Sequence, residues 1–90
     1  MSGKLRKSAP ARVPRHRREW EYTNESSATI DFVIEPEGDI VKMPPGVTYH
    51  VIAEGPKPGE LETRVAPDHV TVYGWPGSSL SVICDGKEIW

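Results

Sequence analysis

Four side chains of this sequence are of types that bind transition metals: His50, His69, Cys84 and Met43. Two imidazoles, a thiolate and a thioether are the ligands of a mononuclear copper site on a β-sandwich. Such sites commonly gather Cys, His and Met within one C-terminal loop, but Cys84 is followed by Asp-Gly-Lys-Glu-Ile-Trp. The pattern therefore favours a buried thiol and two surface imidazoles, and we expect neither a metal site nor a cofactor.

A second metal-binding pattern lies at residues 43–50. Met43-Pro-Pro-Gly-Val-Thr-Tyr-His50 resembles the Pro-x-Gly-x-x-His element of the cupins, but the histidine comes one residue too late. A shift of one residue moves a strand side chain to the opposite face of the sheet. The companion His-x-His element is missing from the sequence, and the chain is short for that fold. A metal-binding protein of cupin or cupredoxin type is therefore our third hypothesis.

The remaining nucleophiles and carboxylates do not form a catalytic pattern. Ser79 and Ser81 lack the flanking residues of a nucleophile elbow. A lone cysteine with two histidines distant in sequence is too common to indicate a catalytic dyad. The many carboxylates are typical of a solvated acidic face. We therefore predict that the chain is not an enzyme.

Basic residues are concentrated at the start of the chain. Residues 1–18 contain seven of the eleven Lys and Arg and no acid, whereas residues 19–90 contain all thirteen Asp and Glu and four bases. With two prolines, one Leu and one Val, residues 1–18 are expected to be a disordered basic arm, and residues 19–90 a compact domain. Such an arm suits salt-sensitive contact with nucleic acid, or contact with its own acidic body. The candidate polyanion-binding residues are Arg12, Arg15, Arg17 and Arg18.

Aromatic residues near position 75 are the candidates for a protein-binding surface. We expect Tyr73 on an outer face beside Ile83, as part of an exposed apolar patch. Trp75 is expected at a loop tip, where Pro76 fixes it and so reduces the entropy lost on binding. The alternative is that these aromatics pack under a loop or under the N-terminal segment. The predicted partner-binding residues are Tyr73, Trp75 and Pro76.

The elements that carry these residues are short strands. Side chains alternate in character along Val70–Tyr73 and Leu80–Cys84, which is the strand period. Trp75-Pro-Gly-Ser78 meets the requirements of a type II turn, with Pro at its second position and Gly at its third. This pattern predicts a hairpin with one core-facing row, made of Val70, Val72, Leu80, Val82 and Cys84.

Similar alternation marks the rest of the chain after residue 19. Ile30, Phe32 and Ile34 share one face, with Phe32 as the expected core anchor, and Trp20 and Tyr22 share one side of an extended segment. Turn residues separate the runs at 24–27, 35–39, 44–46, 54–59, 66–68 and 85–86. The count is about seven short strands. The predicted fold is all-β, a small antiparallel β-sandwich or barrel.

The turns also carry a resemblance. Glu35-Pro-x-Gly38, Pro44-Pro-Gly46, Gly55-Pro56 and Val72-Tyr-Gly-Trp-Pro-Gly77 together resemble short bacterial all-β proteins to which no function is attached. The resemblance covers residues 20–84 and implies an all-β fold without a particular activity.

These features favour a non-enzymatic binding or assembly module for a protein partner. Nucleic-acid association through the basic arm is the alternative. The sequence contains no long apolar run, and its single cysteine fits a reducing compartment, so we expect a cytoplasmic protein without membrane contact. Neither the partner nor the oligomeric state is specified by these patterns.

Overall fold

The computed structural model describes residues 15–90, which form eight strands and no helix. The strands are β1 His16–Thr23, β2 Ile30–Glu35, β3 Asp39–Met43, β4 Thr48–Gly55, β5 Glu62–Val65, β6 His69–Tyr73, β7 Ser79–Cys84 and β8 Lys87–Glu88. Sheet I has the order β1-β4-β7-β8, and sheet II has the order β3-β2-β6-β5. The all-β prediction is confirmed. Since residues 15–90 contain no helix, this part of the chain has no helix that could cross a membrane.

Neighbouring strands are antiparallel except β2 and β6, which are parallel. Parallel neighbours need a long connection between them. Residues 36–68 provide it, because they pass through β3, β4 and β5 before the chain returns to sheet II.

The inner faces of the two sheets share one hydrophobic core. Phe32 of sheet II is fully buried, and its ring meets that of Tyr49 of sheet I edge to face, with centroids 5.2 Å apart. The prediction that Phe32 anchors the core is therefore confirmed. The fully packed core residues come from both sheets: Ile30, Phe32, Ile34, Met43, Tyr49, Val51, Val70, Val72 and Val82. The two sheets thus form a sandwich.

The predicted hairpin between residues 70 and 84 is wrong. β6 pairs with β2 and β5, whereas β7 pairs with β4 and β8 in the other sheet. The type II turn itself is present, because Ser78 N donates to the Trp75 carbonyl at 2.9 Å and Gly77 has a φ of 84°. A type II turn would splay the strands of a tight hairpin, and here it helps the chain to cross between sheets. The predicted inward row is nevertheless correct, since both inner faces line one core.

Strand β1 begins earlier than composition indicates. Arg17 and Arg18, predicted to belong to a disordered arm, are strand residues paired with Glu54 and Ala53 of β4. The composition of residues 1–18 could not reveal these cross-strand partners. Residues 1–14, the rest of the predicted arm, lie outside the described residues.

Two side-chain contacts show how the sheets are aligned. Arg18 of β1 lies 3.4 Å from the carboxylate of Glu60, which precedes β5. At the other side, the Trp90 indole donates to Asp39 of β3 at 2.8 Å. The start of β1 therefore lies near the segment that precedes β5, and the end of the chain lies near the start of β3.

Candidate functional site

Three rows of side chains run across the outer face of sheet II, which we call the sheet II face. Residues that are paired across neighbouring strands share a face, because side chains alternate along each strand. The polar row is Lys42, Asp31 and His69. The apolar row is Ile40, Val33 and Thr71, with Arg64 at its end on β5. The tyrosine row is Glu35, Tyr73 and Glu62.

The polar row satisfies its charges locally. The Lys42 ammonium lies 2.6 Å from the Asp31 carboxylate. His69 Nδ1 lies 2.8 Å from the carboxylate of Asp68, and this hydrogen bond lowers the pKa of Asp68. These exposed pairs mark one margin of the sheet II face.

The apolar row exposes a large aliphatic side chain. Ile40, on the edge strand β3, is 57 % exposed, and its cross-strand neighbour Val33 is half-buried. Thr71 continues the row on β6 with 8 % exposure. Exposed apolar surface with a polar margin is typical of protein-binding surfaces.

The tyrosine row combines an aromatic ring with two carboxylates. Tyr73 is half-buried and lies between Glu35 and Glu62 in the strand register. The guanidinium carbon of Arg64 lies 5.6 Å from the centroid of the Tyr73 ring, which is cation–π geometry. The Arg64 guanidinium also lies 3.5 Å from the Glu62 carboxylate. The Tyr73 ring thus has two carboxylates and one guanidinium around it.

Trp75 is not exposed at a loop tip, so that expectation is wrong. The side chain is only 9 % exposed, and its indole nitrogen donates to the Lys57 carbonyl at 3.0 Å. The loop after β4 covers the ring because Gly59 has no side chain, and a Cβ at that position would overlap the indole. Of the three predicted partner-binding residues, Tyr73 and the exposed Pro76 remain at the surface.

Ile83 and Tyr73 are not neighbours, contrary to the predicted patch. Ile83 lies on the outer face of sheet I, paired with His50 and Glu88. Tyr73 lies on the sheet II face instead, because β6 and β7 belong to different sheets.

Of the candidate polyanion-binding residues, Arg17 and Arg18 contact carboxylates of the same chain. Arg17 lies 2.6 Å from Glu19 and 3.1 Å from Glu54, and Arg18 contacts Glu60. Hydrogen bonds from Arg17 and then from His50 lower the pKa of Glu19. Arg15 is exposed just before β1, and Arg12 lies outside the described residues. The strand arginines therefore lie on the acidic body of the protein.

The two histidines and the cysteine considered for metal binding lie on three different faces of the sandwich. His50 is on the outer face of sheet I, 2.8 Å from Glu19 and 3.6 Å from Glu21. His69 is on the sheet II face, whereas Cys84 faces the core and is partly buried. Within residues 15–90, no group of three or more His, Cys, Asp or Glu is placed to hold a metal ion.

A signal for the sheet II face does exist in the sequence. In Phe32-Val33-Ile34 and in Ile40-Val41, consecutive residues are apolar, so one apolar side chain of each run must face outward. These outward residues are Val33 and Ile40. No pattern in the sequence predicts that Glu35 lies beside Tyr73, because this position depends on the parallel pairing of β2 with β6.

No family model, curated protein or solved structure matches this chain. The resemblance to short bacterial proteins therefore stays an expectation.

Proposed function

We propose that this chain is a non-enzymatic protein-binding module that binds its partner on the sheet II face. The observation that carries the proposal is the side-by-side placement of the apolar row and the tyrosine row. Ile40 and Val33 offer apolar contact, and Tyr73 offers an aromatic surface within the same sheet. Tyrosine is among the residues that contribute most to binding at protein interfaces.

The chemistry of the two rows favours a partner with apolar and cationic side chains. Glu35 and Glu62 attract cations to the Tyr73 ring, which already accepts Arg64. The same carboxylates repel phosphate groups, and residues 15–90 contain thirteen acids against seven bases. A basic protein segment therefore suits this face better than a nucleic acid. The single cysteine supports a reducing cytoplasm as the setting.

The proposal predicts that binding depends on Tyr73 and Ile40. The immobilised full chain is used to capture a partner protein, which is then purified. Calorimetry measures the affinity of this partner for the unmodified chain and for the variants Tyr73→Ala and Ile40→Ser. We expect each change to weaken binding about tenfold or more, since an interface residue of this kind contributes above about 1.4 kcal/mol. Tyr73→Phe keeps the ring and should retain most of the affinity.

The matched control is Ile83→Ser, which removes a half-buried isoleucine from the outer face of sheet I. It should leave the affinity unchanged. Loss of binding in Ile83→Ser, with Ile40→Ser and Tyr73→Ala unaffected, would place the docking surface on sheet I. Thermal unfolding of each variant separates lost binding from lost folding.

A further inference from the structure

We infer that β1 pairs with β1 of a second copy of this chain, antiparallel and with Arg18 at the centre of the pairing. Strand β1 is an edge of sheet I, and within residues 15–90 only β4 pairs with it. The pairing joins the sheet I of each copy into one continuous sheet. It is independent of the proposed function, because the sheet II face takes no part in it.

Strand β1 is the longest edge strand in the described part of the chain. It has eight residues, whereas the edge strands β3, β5 and β8 have five, four and two. An edge strand presents unpaired backbone groups to which another chain can add a strand, and a short edge limits this. Of the four edges, β1 therefore offers the longest row of backbone groups to a second copy.

Alternate residues of β1 direct their backbone groups to the open edge. Asn24 N donates to the Val47 carbonyl at 3.0 Å in the register of the β1–β4 ladder, so even-numbered residues of β1 bond to β4. The backbone groups of residues 17, 19 and 21 therefore point away from β4. Arg18 Nη1 donates to one of them, the Arg17 carbonyl, at 3.1 Å. Pairing with a second copy replaces this single contact with a ladder of hydrogen bonds.

The charges on the outer side of this edge change sign along the chain. Arg15 and Arg17 come first, Glu19 and Glu21 follow, and all four are exposed. In an antiparallel pair centred on residue 18, Arg15 lies opposite Glu21 of the second copy. Arg17 lies opposite Glu19 of the second copy in the same way. Twofold symmetry repeats both pairs, and cross-strand pairs of opposite charge stabilise a sheet.

Other registers of the same two strands match the charges less well. A centre at residue 19 brings Glu19 opposite Glu19 of the second copy, and a centre at residue 17 brings Arg17 opposite Arg17. Like charges directly opposite each other destabilise a sheet. Each of these registers also halves the number of oppositely charged pairs on the outer side. The order of charges therefore selects both a second copy as the partner and residue 18 as the centre.

The centre of the pairing carries one unfavourable contact, on the inner side. Arg18 lies there opposite Arg18 of the second copy, and the two guanidinium groups repel each other. Each Arg18 also lies 3.4 Å from Glu60 of its own copy, which offsets the repulsion in part. Replacement of Arg18 by a neutral residue should therefore strengthen the pairing. Beside this contact, the half-buried Trp20 lies opposite His16 of the second copy.

The test uses two variants of the full chain with opposite charges on this edge. The acidic variant carries Arg15→Glu and Arg17→Glu, and the basic variant carries Glu19→Lys and Glu21→Lys. Sedimentation at low salt measures the association of each variant alone and of their equimolar mixture. We expect the unmodified chain to dimerise and each variant alone to do so about hundredfold or more weakly. The mixture should form a heterodimer, because every outer pair then joins opposite charges.

Amide hydrogen exchange locates the contact on β1. When nine-tenths of the chains are paired, the amides of residues 17, 19 and 21 should exchange about tenfold more slowly than in dilute solution. The amides of residues 18 and 20 should change little, because they already bond to β4. Protection of residues 17, 19 and 21 that does not depend on concentration would assign the edge to a segment of the same molecule and overturn pairing with a second copy.

The charge-matched control is Lys57→Glu with Lys87→Glu, which changes the net charge as the acidic variant does but leaves β1 intact. It should dimerise like the unmodified chain, and thermal unfolding checks that all variants are folded. Arg18→Gln should dimerise more tightly than the unmodified chain, and weaker association would overturn the centre at residue 18. A monomeric unmodified chain at millimolar concentration, or acidic and basic variants that each dimerise normally or stay monomeric when mixed, would overturn the inference.

Discussion

At the scale of single residues, Trp75 packs directly against Gly59. The indole of Trp75 lies over Gly59 and donates to the Lys57 carbonyl, so the loop after β4 is held against the turn that precedes β7. A side chain at Gly59 would occupy the space of the ring. Because Gly59 does not have a positive φ, its role is this close approach and not an unusual backbone conformation.

This contact predicts a strong coupling between two substitutions. Trp75→Ala should lower the free energy of unfolding by about 3–5 kcal/mol, the range for large buried aromatics. Gly59→Ala should also destabilise the protein, but much less in the Trp75→Ala background, where the added methyl group has room. Urea denaturation of both single variants and the double variant measures the coupling. Additive effects would contradict the contact, and the exposed Pro76→Ala is the control with little expected effect.

Asn24 shows what residue patterns alone could not predict. From sequence it is one of several turn residues after β1, yet its side chain is only 1 % exposed. Its amide nitrogen donates to the carbonyls of Ala28 and Met43, and its oxygen accepts hydrogen bonds from Ser26. These partners come from two segments, and the contact with Met43 exists only because the loop after β1 lies against the end of β3.

At the scale of strands, a line of charges joins β1 to β4 on the outer face of sheet I. Glu19 of β1 accepts a hydrogen bond from Arg17 on its own strand and contacts His50 on β4. Arg17 in turn reaches Glu54 of β4. These exposed pairs connect the edge strand to its neighbour in addition to the backbone ladder.

The lowered pKa of Glu19 gives this connection a pH dependence. A carboxylate whose pKa falls on folding stabilises the native state above its unfolded pKa, about 4.3, and this stabilisation is lost as the pH falls through the lower folded value. Glu19→Gln should therefore be less stable than the unmodified protein at neutral pH, and the difference should shrink in acid. Unfolding curves collected from about pH 7 to about pH 2 test this. Glu25→Gln, in the exposed loop after β1, is the control, and a constant difference between Glu19→Gln and the unmodified protein would refute the assignment.

Strand pairing marks the limit of what could be predicted from sequence. Alternation predicted the buried faces of β2, β6 and β7, because only the side-chain period is needed for that. It could not predict that β6 pairs with β2. Two alternating runs joined by a turn have the same sequence pattern whether the two strands pair with each other or belong to different sheets. The composition of the candidate surface could be predicted only in part for the same reason. Tyr73 was predicted as an outer residue, but its neighbours Glu35 and Glu62 follow from the pairing of β6.

At the scale of the whole molecule, the two sheets depend on one shared core. Phe32 and Tyr49 meet across it, and the same cluster contains Val51 and Val82 of sheet I and Ile34 and Val72 of sheet II. Neither sheet has a separate hydrophobic core among residues 15–90. The sandwich should therefore unfold as one cooperative unit.

Phe32→Ala tests this cooperativity. Loss of the ring should lower the free energy of unfolding by about 3–5 kcal/mol, a large share of the about 5–15 kcal/mol that stabilises a domain. Because the core is shared, amide hydrogen exchange should accelerate in β4 of sheet I as much as in β6 of sheet II. Val65→Ala is the control, since Val65 is 56 % exposed at the edge of sheet II and its truncation should cost little. Faster exchange confined to sheet II would show that the sheets unfold separately, and would contradict a single core.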